Sequence, residues 1–309
     1  MPLTNIPAPT AKAVVFAYHN VGVRCLQTLL ARGIDVALVV THTDNPAEKI
    51  WFASVAELCK EHGIPYVTPD DAQSEELLAS INILAPDFIF SFYYRHMIPM
   101  PVLQLAKRGA FNLHGSLLPK YRGRVPVNWA VLHGETETGA TLHVMAEKPD
   151  AGAIVAQTAV PILPDDTAFD VFNKLTVASE QTLWYALPGL LDGSASLQTN
   201  ELAQGSYFGG RKPEDGRINW QQTAQQVYNL HRAVAPPYPG AFFEQNGQRF
   251  VIVKAKLARN SPNNLPPGLH VVDNAIFGVC GDGKALLIEQ IMTQDRLLSA
   301  SELAGLLAE

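Results

Sequence analysis

The chain has 309 residues, of which 47% are hydrophobic and 17% charged, so it can bury one large core or two unequal ones. A formal net charge of −6 argues against a protein whose main partner is a nucleic-acid backbone. The 3 cysteines are too few and too far apart for a disulfide framework, and no apolar run is long enough to predict a membrane span. The N-terminus also lacks the apolar core of a signal peptide. We therefore expect a cytoplasmic protein without membrane insertion and without a nucleic-acid partner.

The first part of the chain alternates short apolar runs with helical patterns, after a leader at 1–12. Strands are predicted at 13–17, 35–40, 66–67, 87–92 and 110–113. Helices are predicted at 21–31, 48–62 and 74–84. Strands that alternate with helices indicate an α/β fold with a parallel, doubly wound sheet, which binds ligands at the carboxyl ends of its strands.

The pattern changes after the strand at 110–113. A short helix is predicted at 126–132, strands at 138–145 and 153–161, and a long helix at 168–187 that ends near Pro188 and Gly189. Beyond about residue 205 the pattern favours short strands, and Gly281-Asp282-Gly283-Lys284 between two of them is a hairpin signal. We predict a catalytic domain at 13–189, a linker at 190–210 and a smaller β-rich domain at 211–309.

An amide and an imidazole lie two residues apart at the end of the predicted strand 110–113. Asn112 and His114 would project from the same face of a strand, because side chains alternate between faces. An amide can donate a hydrogen bond to a developing oxyanion, and an imidazole can transfer a proton near neutral pH. We predict that these two side chains form part of a catalytic site.

Asp150 is the predicted third member of this site. It lies in the turn between the strands at 138–145 and 153–161, where an aspartate before glycine is also common for purely structural reasons. If Asp150 reaches His114, its carboxylate would favour the protonated imidazole and make the histidine an effective acid and base.

Cationic side chains mark two further segments. Lys120, Arg122 and Arg124 indicate recognition of a phosphate or carboxylate, although a solvated loop is the alternative. Arg211-Lys212 could meet a diphosphate or form an ordinary pair of linker charges. No GxGxxG, GxxxxGK[ST] or HExxH motif occurs, and the histidines lack metal-ligand spacing, so no metal is predicted.

Together, the Asn112, His114 and Asp150 set and the SLLPKYRG segment at 116–123 resemble the signature of the folate-dependent formyltransferases. That family includes methionyl-tRNA, glycinamide ribonucleotide and sugar N-formyltransferases. The match is closest to the formyltransferase domains of bifunctional polymyxin-resistance proteins. It is carried by AVVFAYHN at 13–20, THTDNPAEK at 41–49, FSFYYRHMI at 90–98, FNLHGSLLPKYRGR at 111–124, HGETETGATLH at 133–143 and DAGAIVAQ at 150–157.

The resemblance implies a Rossmann-like N-terminal domain and a smaller C-terminal β-barrel-like (OB-like) domain. The implied reaction transfers a formyl group from 10-formyltetrahydrofolate to the 4-amine of a nucleotide-linked amino sugar. The implied acceptor is UDP-4-amino-4-deoxy-L-arabinose, in lipid A modification and polymyxin resistance. The bifunctional proteins continue into a second enzyme domain, so this chain is either a stand-alone enzyme or an excised domain, and its oligomeric state stays open.

The resemblance also implies roles for individual residues. Asn112 would stabilise the oxyanion, His114 would transfer the proton, and Asp150 would favour protonation of the imidazole. The residues implied to hold 10-formyltetrahydrofolate, partly through their backbone, are His96, Met97, Ile98, Arg124, Ala146, Glu147, Lys148, Pro149 and Asp150.

Several alternatives remain open. The same chemistry would serve methionyl-tRNA formylation, although tRNA binds through its phosphates and this chain is acidic. Another UDP- or dTDP-linked amino sugar could be the acceptor. Water could also be the acceptor, which would make the protein a 10-formyltetrahydrofolate hydrolase. A non-catalytic folate- or nucleotide-sensing module is the fourth alternative.

Overall fold

A computed structural model describes residues 11–308 of the chain. The predicted leader at 1–12 falls outside the described residues except for Ala11 and Lys12, and Lys12 begins the first strand. The chain divides into two compact units. Unit 1 comprises 11–124, Thr138–Val160 and Asn173–Phe208, and unit 2 comprises Val125–Glu137, Pro161–Phe172 and 209–308.

A seven-stranded sheet forms the centre of unit 1. Its strands are β1 (Lys12–Ala17), β2 (Asp35–Val40), β3 (Tyr66–Val67), β4 (Phe88–Phe92), β5 (Gly109–His114), β7 (Glu137–Val144) and β8 (Ile154–Pro161). Their spatial order is β3-β2-β1-β4-β5-β7-β8. The strands β1 to β5 run parallel to one another, whereas β7 runs antiparallel to β5. Since β4 is buried along its whole length, its residues are apolar almost without interruption.

The helices around this sheet are α1 (His19–Ala31), α2 (Val55–His62), α3 (Glu75–Leu84) and α4 (Met100–Leu103). The predicted helix at 48–62 is wrong over 48–54. There the Ala53 backbone N–H donates to the Asn20 side chain, and the Ser54 hydroxyl accepts from the Glu57 N–H, which is the geometry of a helix N-cap. The four-residue α4 was not predicted.

The long helix α6 (Ala168–Asp192) continues through Pro188, where the sequence predicted an end. A proline inside a helix removes one backbone hydrogen bond and costs about 3 kcal/mol. Leu183, Leu187 and Leu190 are buried on either side of it, so packing holds the last turns helical. The helix instead stops before Gly193, which has a positive φ of 81°.

Unit 2 contains an antiparallel, curled sheet that forms half a barrel. Its strands are β10 (Ala241–Gln245), β11 (Gln248–Leu257), β12 (Gly268–Val272), β13 (Ala275–Val279), β14 (Ala285–Thr293) and β15 (Arg296–Leu297). The order is β10-β11-β14-β13-β12, and β15 pairs with β14. The unit also contains α5 (Pro126–Leu132), α7 (Ala224–Val234) and α8 (Ala300–Ala308), of which only α5 was predicted.

Two short strands form a separate two-stranded sheet. β6 (Arg122–Gly123) and β9 (Tyr207–Phe208) pair in parallel within unit 1. The predicted fold class is confirmed: a mostly parallel α/β sheet of Rossmann-like type with a smaller, barrel-like antiparallel sheet.

Candidate active site

The strand β5 presents Asn112 and His114 on one face of the sheet. Leu113 between them is buried on the opposite face, as the alternation of a strand requires. Asn112 is paired with His143 across the antiparallel β5–β7 ladder, and His114 is paired with Thr141. Directly opposite residues of two strands share a face, so an imidazole from β7 lies beside the predicted pair.

Asp150 reaches this group from the turn after β7. Its Oδ1 lies 3.4 Å from Asn112 Nδ2, 3.5 Å from His114 Nδ1 and 3.4 Å from His143 Nε2. Its Oδ2 accepts a hydrogen bond of 2.9 Å from the Gly123 backbone N–H. The structure therefore brings together the three residues that the sequence singled out.

The surroundings of Asp150 stabilise its ionised form. Burial by itself would oppose ionisation, but the His114 charge, the hydrogen bond and charge of His143 and the Gly123 N–H hold the pKa of Asp150 well below its ordinary value. The carboxylate is thus charged near pH 7.

Each ring nitrogen of His114 faces an acceptor. His114 Nε2 lies 2.8 Å from the Tyr121 carbonyl oxygen, which can only accept, so this nitrogen carries a proton. His114 Nδ1 faces the Asp150 carboxylate. A proton at Nδ1 is therefore stabilised by Asp150.

His143 is a fourth member that the sequence reasoning did not single out. His143 Nδ1 lies 2.9 Å from the Val144 carbonyl oxygen, which can only accept, so this nitrogen carries a proton. His143 Nε2 lies 3.1 Å from Asn112 Nδ2 and 3.4 Å from Asp150 Oδ1. The sequence shows that His143 lies in a strand, but its pairing partner follows only from the antiparallel register of β5 and β7.

The segment after β5 is fixed by polar contacts. Thr141 Oγ1 donates to the Ser116 carbonyl oxygen at 2.6 Å, and Gln157 Nε2 donates to Thr141 Oγ1 at 2.8 Å. The Ser116 hydroxyl in turn donates to the Lys120 carbonyl oxygen at 2.6 Å. These bonds keep the Tyr121 carbonyl and the Gly123 N–H in place for His114 and Asp150.

Comparison with known proteins places this arrangement in a family. A model described as "Formyl transferase" matches residues 11–187, and one described as "Formyl transferase, C-terminal domain" matches residues 211–305. The chain belongs to the formyl transferase family. The predicted enzyme class, a formyl group transferase, is confirmed.

Several solved structures share this fold. An N-formyltransferase from Helicobacter canadensis, in complex with folinic acid and dTDP-3-aminofucose, is 19% identical, with a TM-score of 0.69 over 90% of this chain and 98% of that one. The sugar 3N-formyltransferase WlaRD, in the presence of dTDP and 5-N-formyl-THF, is 22% identical, with a TM-score of 0.68 over 93% and 99% of the two chains. HypX from Aquifex aeolicus, in complex with tetrahydrofolic acid, is 18% identical, with a TM-score of 0.66 over 97% of this chain and 48% of that one.

The residues predicted to hold 10-formyltetrahydrofolate are distributed over three loops of the formyltransferase. His96, Met97 and Ile98 follow β4, with the Met97 side chain exposed and that of Ile98 buried in the core. Arg124 follows β6, and its backbone N–H donates to the Phe208 carbonyl oxygen at 3.0 Å. The loop with Ala146, Glu147, Lys148 and Pro149 leads directly to Asp150. Because β4 and β5 are parallel neighbours, the loop after β4 starts at the sheet edge where His114 lies.

The loop after β4 is anchored by His42, which the sequence reasoning did not assign to the site. The Arg95 backbone N–H donates to His42 Nε2 at 3.0 Å, and the Arg95 guanidinium pairs with the Glu48 carboxylate at 2.9 Å. Burial, followed by the nearby charges of His96 and Arg95, lowers the pKa of His42 to about 4. The imidazole is therefore neutral near pH 7 and can accept the Arg95 hydrogen bond.

The predicted anion-binding cations have different environments. Lys120 and Arg124 are exposed, whereas Arg122 is half-buried in β6. In unit 2, the Arg211 guanidinium donates to the Asp215 carbonyl oxygen at 2.9 Å and lies 4.8 Å from the centre of the Trp129 ring.

None of the helices among residues 11–308 combines the length and the apolar character needed to cross a lipid bilayer. Across that described part of the chain, no group of three or more His, Cys, Asp and Glu side chains is arranged to hold a metal ion.

Proposed function

We propose that this formyltransferase transfers the formyl group of 10-formyltetrahydrofolate to the 4-amine of a nucleotide-linked amino sugar. The proposed acceptor is UDP-4-amino-4-deoxy-L-arabinose, in the modification of lipid A that confers polymyxin resistance. The observation that supports formyl transfer is the convergence of Asn112, His114 and His143 on the single carboxylate oxygen Asp150 Oδ1, within 3.5 Å. The choice of acceptor is supported by the resemblance of the sequence motifs.

These residues suit the chemistry of a formyl group. The donor supplies an electrophilic carbonyl carbon and a nitrogen leaving group when it is bound. A formyl oxygen is an acceptor, and the Asn112 amide is a donor on the same sheet face as His114. A preorganised donor of this kind typically accelerates acyl transfer by about 10²–10³. We assign Asn112 to the oxygen on which negative charge develops.

His114 moves the proton in the proposed mechanism. The sugar nitrogen forms a bond to the formyl carbon, and the bond from that carbon to the folate N10 breaks. The His114 imidazole takes the proton that the amine loses and returns it to N10. Asp150 stabilises the imidazolium between these two transfers, since its carboxylate stays ionised. The long 3.5 Å separation is typical of catalytic contacts that tighten only when substrate is bound.

The residues proposed to bind the folate lie in three loops. His96, Met97 and Ile98, Arg124, and the Ala146–Asp150 loop would hold the co-substrate, partly through backbone groups. The loop after β4 is held by the neutral imidazole of His42 and by the Arg95–Glu48 pair, so its backbone is preorganised. When the co-substrate binds to a loop that is already rigid, less conformational entropy is lost than when binding must order a mobile loop.

The acceptor is tested by a screen of UDP- and dTDP-linked amino sugars with 10-formyltetrahydrofolate, read by product mass. dTDP-linked sugars are included because dTDP-3-aminofucose and dTDP accompany two of the structural relatives. Formylated UDP-4-amino-4-deoxy-L-arabinose is the expected product. Formylation of methionyl-tRNA in place of every sugar would contradict the proposal, and formate release without any amine would indicate a hydrolase.

A further inference from the structure

The backbone of Asp150 adopts an uncommon conformation. Its φ is +50°, in the left-handed region that side chains other than that of glycine rarely occupy. Such a conformation persists only where the surrounding structure holds it, and it is concentrated at functional sites. The Asp150 carboxylate must also point in one specific direction, because its two oxygens have different partners. Oδ2 accepts from the Gly123 N–H, and Oδ1 faces three side chains.

One side chain holds this backbone from the segment between α6 and β9. Asn200 Nδ2 donates to the Asp150 carbonyl oxygen at 3.0 Å and to the Gly152 carbonyl oxygen at 3.1 Å. Asn200 is 7% exposed, so these bonds form away from bulk water. The opposite orientation of the amide would place its oxygen against two carbonyl oxygens, which makes the donating orientation the only favourable one.

The segment that carries Asn200 is itself fixed to the sheet. Gln198 exchanges two backbone hydrogen bonds of 2.8 Å with Ile154, the first residue of β8. Asn200 follows two residues later and therefore lies over the turn that precedes β8. That turn has no room to shift toward β7, because a Cβ on Gly152 would come within 1.9 Å of the Val144 carbonyl oxygen.

We propose that Asn200 is a positioning residue of the formyltransferase. It fixes the left-handed backbone of Asp150, so that the carboxylate meets the Gly123 N–H and the imidazole of His114 at the same time. This inference rests on the proposed roles of Asp150 and His114. Asn200 does not contact the reacting groups and acts through the direction of one carboxylate.

The test compares Asn200→Leu and Asn200→Asp, neither of which can donate to the two carbonyls. The matched control is Gln198→Ala, since the exposed Gln198 side chain makes no bond to Asp150 and its backbone pairing is retained. We expect kcat to fall by about 10²-fold in both variants, as a small misplacement of a catalytic group can cost. The KM for the acceptor should stay within about twofold of the wild type, because the only proposed binding segment that Asn200 contacts is the co-substrate loop that ends at Asp150.

The Gly123 amide resonance separates positioning from a general structural defect. The Gly123 N–H donates to Asp150 Oδ2, so its resonance reports the direction of the carboxylate without any substrate and should lose its wild-type shift in both variants. Folded variants with wild-type kcat, or with reduced kcat but an unchanged Gly123 resonance, would overturn the proposal.

A measurement on the wild-type protein covers the case in which both variants fail to fold. The side-chain amide protons of Asn200 should exchange with solvent far more slowly than those of the exposed Asn45. Equally rapid exchange at both residues would refute the two-carbonyl contact. The resonance measurements need no formyl transfer, so an inactive wild type would reject the proposed function while leaving the positioning role separately testable.

Discussion

Each unit of the formyltransferase buries a cluster of ionisable side chains, and the two clusters are built differently. In unit 1, side chains from two strands and the Gly123 N–H of β6 surround the Asp150 carboxylate, and the Asp150 backbone is left-handed. In unit 2, Arg232 lies on α7 and bonds to Asn229 on the same helix at 2.6 Å and to the Asp166 carbonyl oxygen at 3.0 Å. The first cluster depends on tertiary register and the second largely on helical spacing.

The difference supports the proposal that the buried charges of unit 1 serve chemistry and those of unit 2 serve stability. The unit 1 carboxylate is surrounded by donors that can rearrange around a substrate, and it lies near a strand end. The unit 2 cluster ties one turn to one helix: the Tyr228 hydroxyl donates to Asp165 at 2.8 Å, and the helix is buried along nearly its whole length. We therefore expect substitutions in the first cluster to reduce turnover and substitutions in the second to reduce stability.

The largest effect is expected from His114→Ala. Removing the imidazole eliminates proton transfer, which typically contributes about 10²–10⁴ to the rate. The measurement is kcat with the best acceptor found in the screen, with folding verified by circular dichroism. The control is His62→Ala, which removes an exposed imidazole at the end of α2. Near-normal turnover in His114→Ala would remove this residue from the mechanism.

Asn112→Ala comes next. Loss of one donor to the developing oxyanion typically costs about 10²–10³ in kcat. The exposed Asn82 on α3 provides the control, Asn82→Ala, which should keep wild-type turnover. A fall in substrate affinity with kcat preserved would show that Asn112 binds the ground state and does not stabilise the transition state.

The corresponding change in unit 2 is Tyr228→Phe. It removes the hydroxyl that donates to the exposed Asp165 carboxylate, which water can then reach, so the cost is the net worth of one hydrogen bond, about 0.5–1.5 kcal/mol. The cost is measured as the free energy of opening of the α7 backbone amides by hydrogen exchange. Tyr185→Phe, at a position that is 77% exposed, should leave those amides unchanged. An equal effect of the two substitutions would contradict the stabilising role.

The smallest expected effect is a pH dependence of the free energy of unfolding, caused by His231 in unit 2. Burial, followed by the Arg232 charge, lowers the pKa of His231 to about 4. Below the ordinary histidine pKa of about 6.5 the unfolded chain binds the proton first, so stability is present above that value and is lost as the pH falls toward the folded-state pKa. Between pH 7 and pH 6 the loss from His231 is about 0.7 kcal/mol.

His231→Phe isolates this contribution. His42 in unit 1 also has a lowered pKa and changes stability in the same direction, so the difference between wild type and variant must be compared at the two pH values. The measurement is the free energy of unfolding in urea. Identical pH dependence in both proteins would show that His231 titrates normally in the folded state.

The sequence predicted the elements whose signals are local. The strand at 35–40 and the helix at 126–132 agree with β2 and α5 at every residue, since apolar periodicity and Pro126 mark them directly. Helix α7 was missed although Thr223 and Gln226 form a capping box. Its buried residues include Asn229, His231 and Arg232, so burial does not follow the polarity of the sequence there.

The site was partly predictable for the same reason. Asn112 and His114 share a face by strand alternation alone, and Asp150 was predicted as the third member from its turn, although the sequence did not show that it reaches His114. His143 and Asn200 were not predicted, because their contacts depend on the antiparallel register of β5 and β7 and on a backbone bridge between Gln198 and Ile154. Long-range pairings of this kind have no signature in a single sequence.

The direct pairing of Asn112 with His143 makes the length of β7 critical for any insertion or deletion. Adding one residue between Thr141 and His143 would reverse the alternation of everything that follows, so that an aliphatic side chain would face Asn112 and the imidazole would turn into the core. The loop at 260–267 has no such alternation to preserve. Peptide tags or reporter groups are therefore best placed in that loop and kept out of β7.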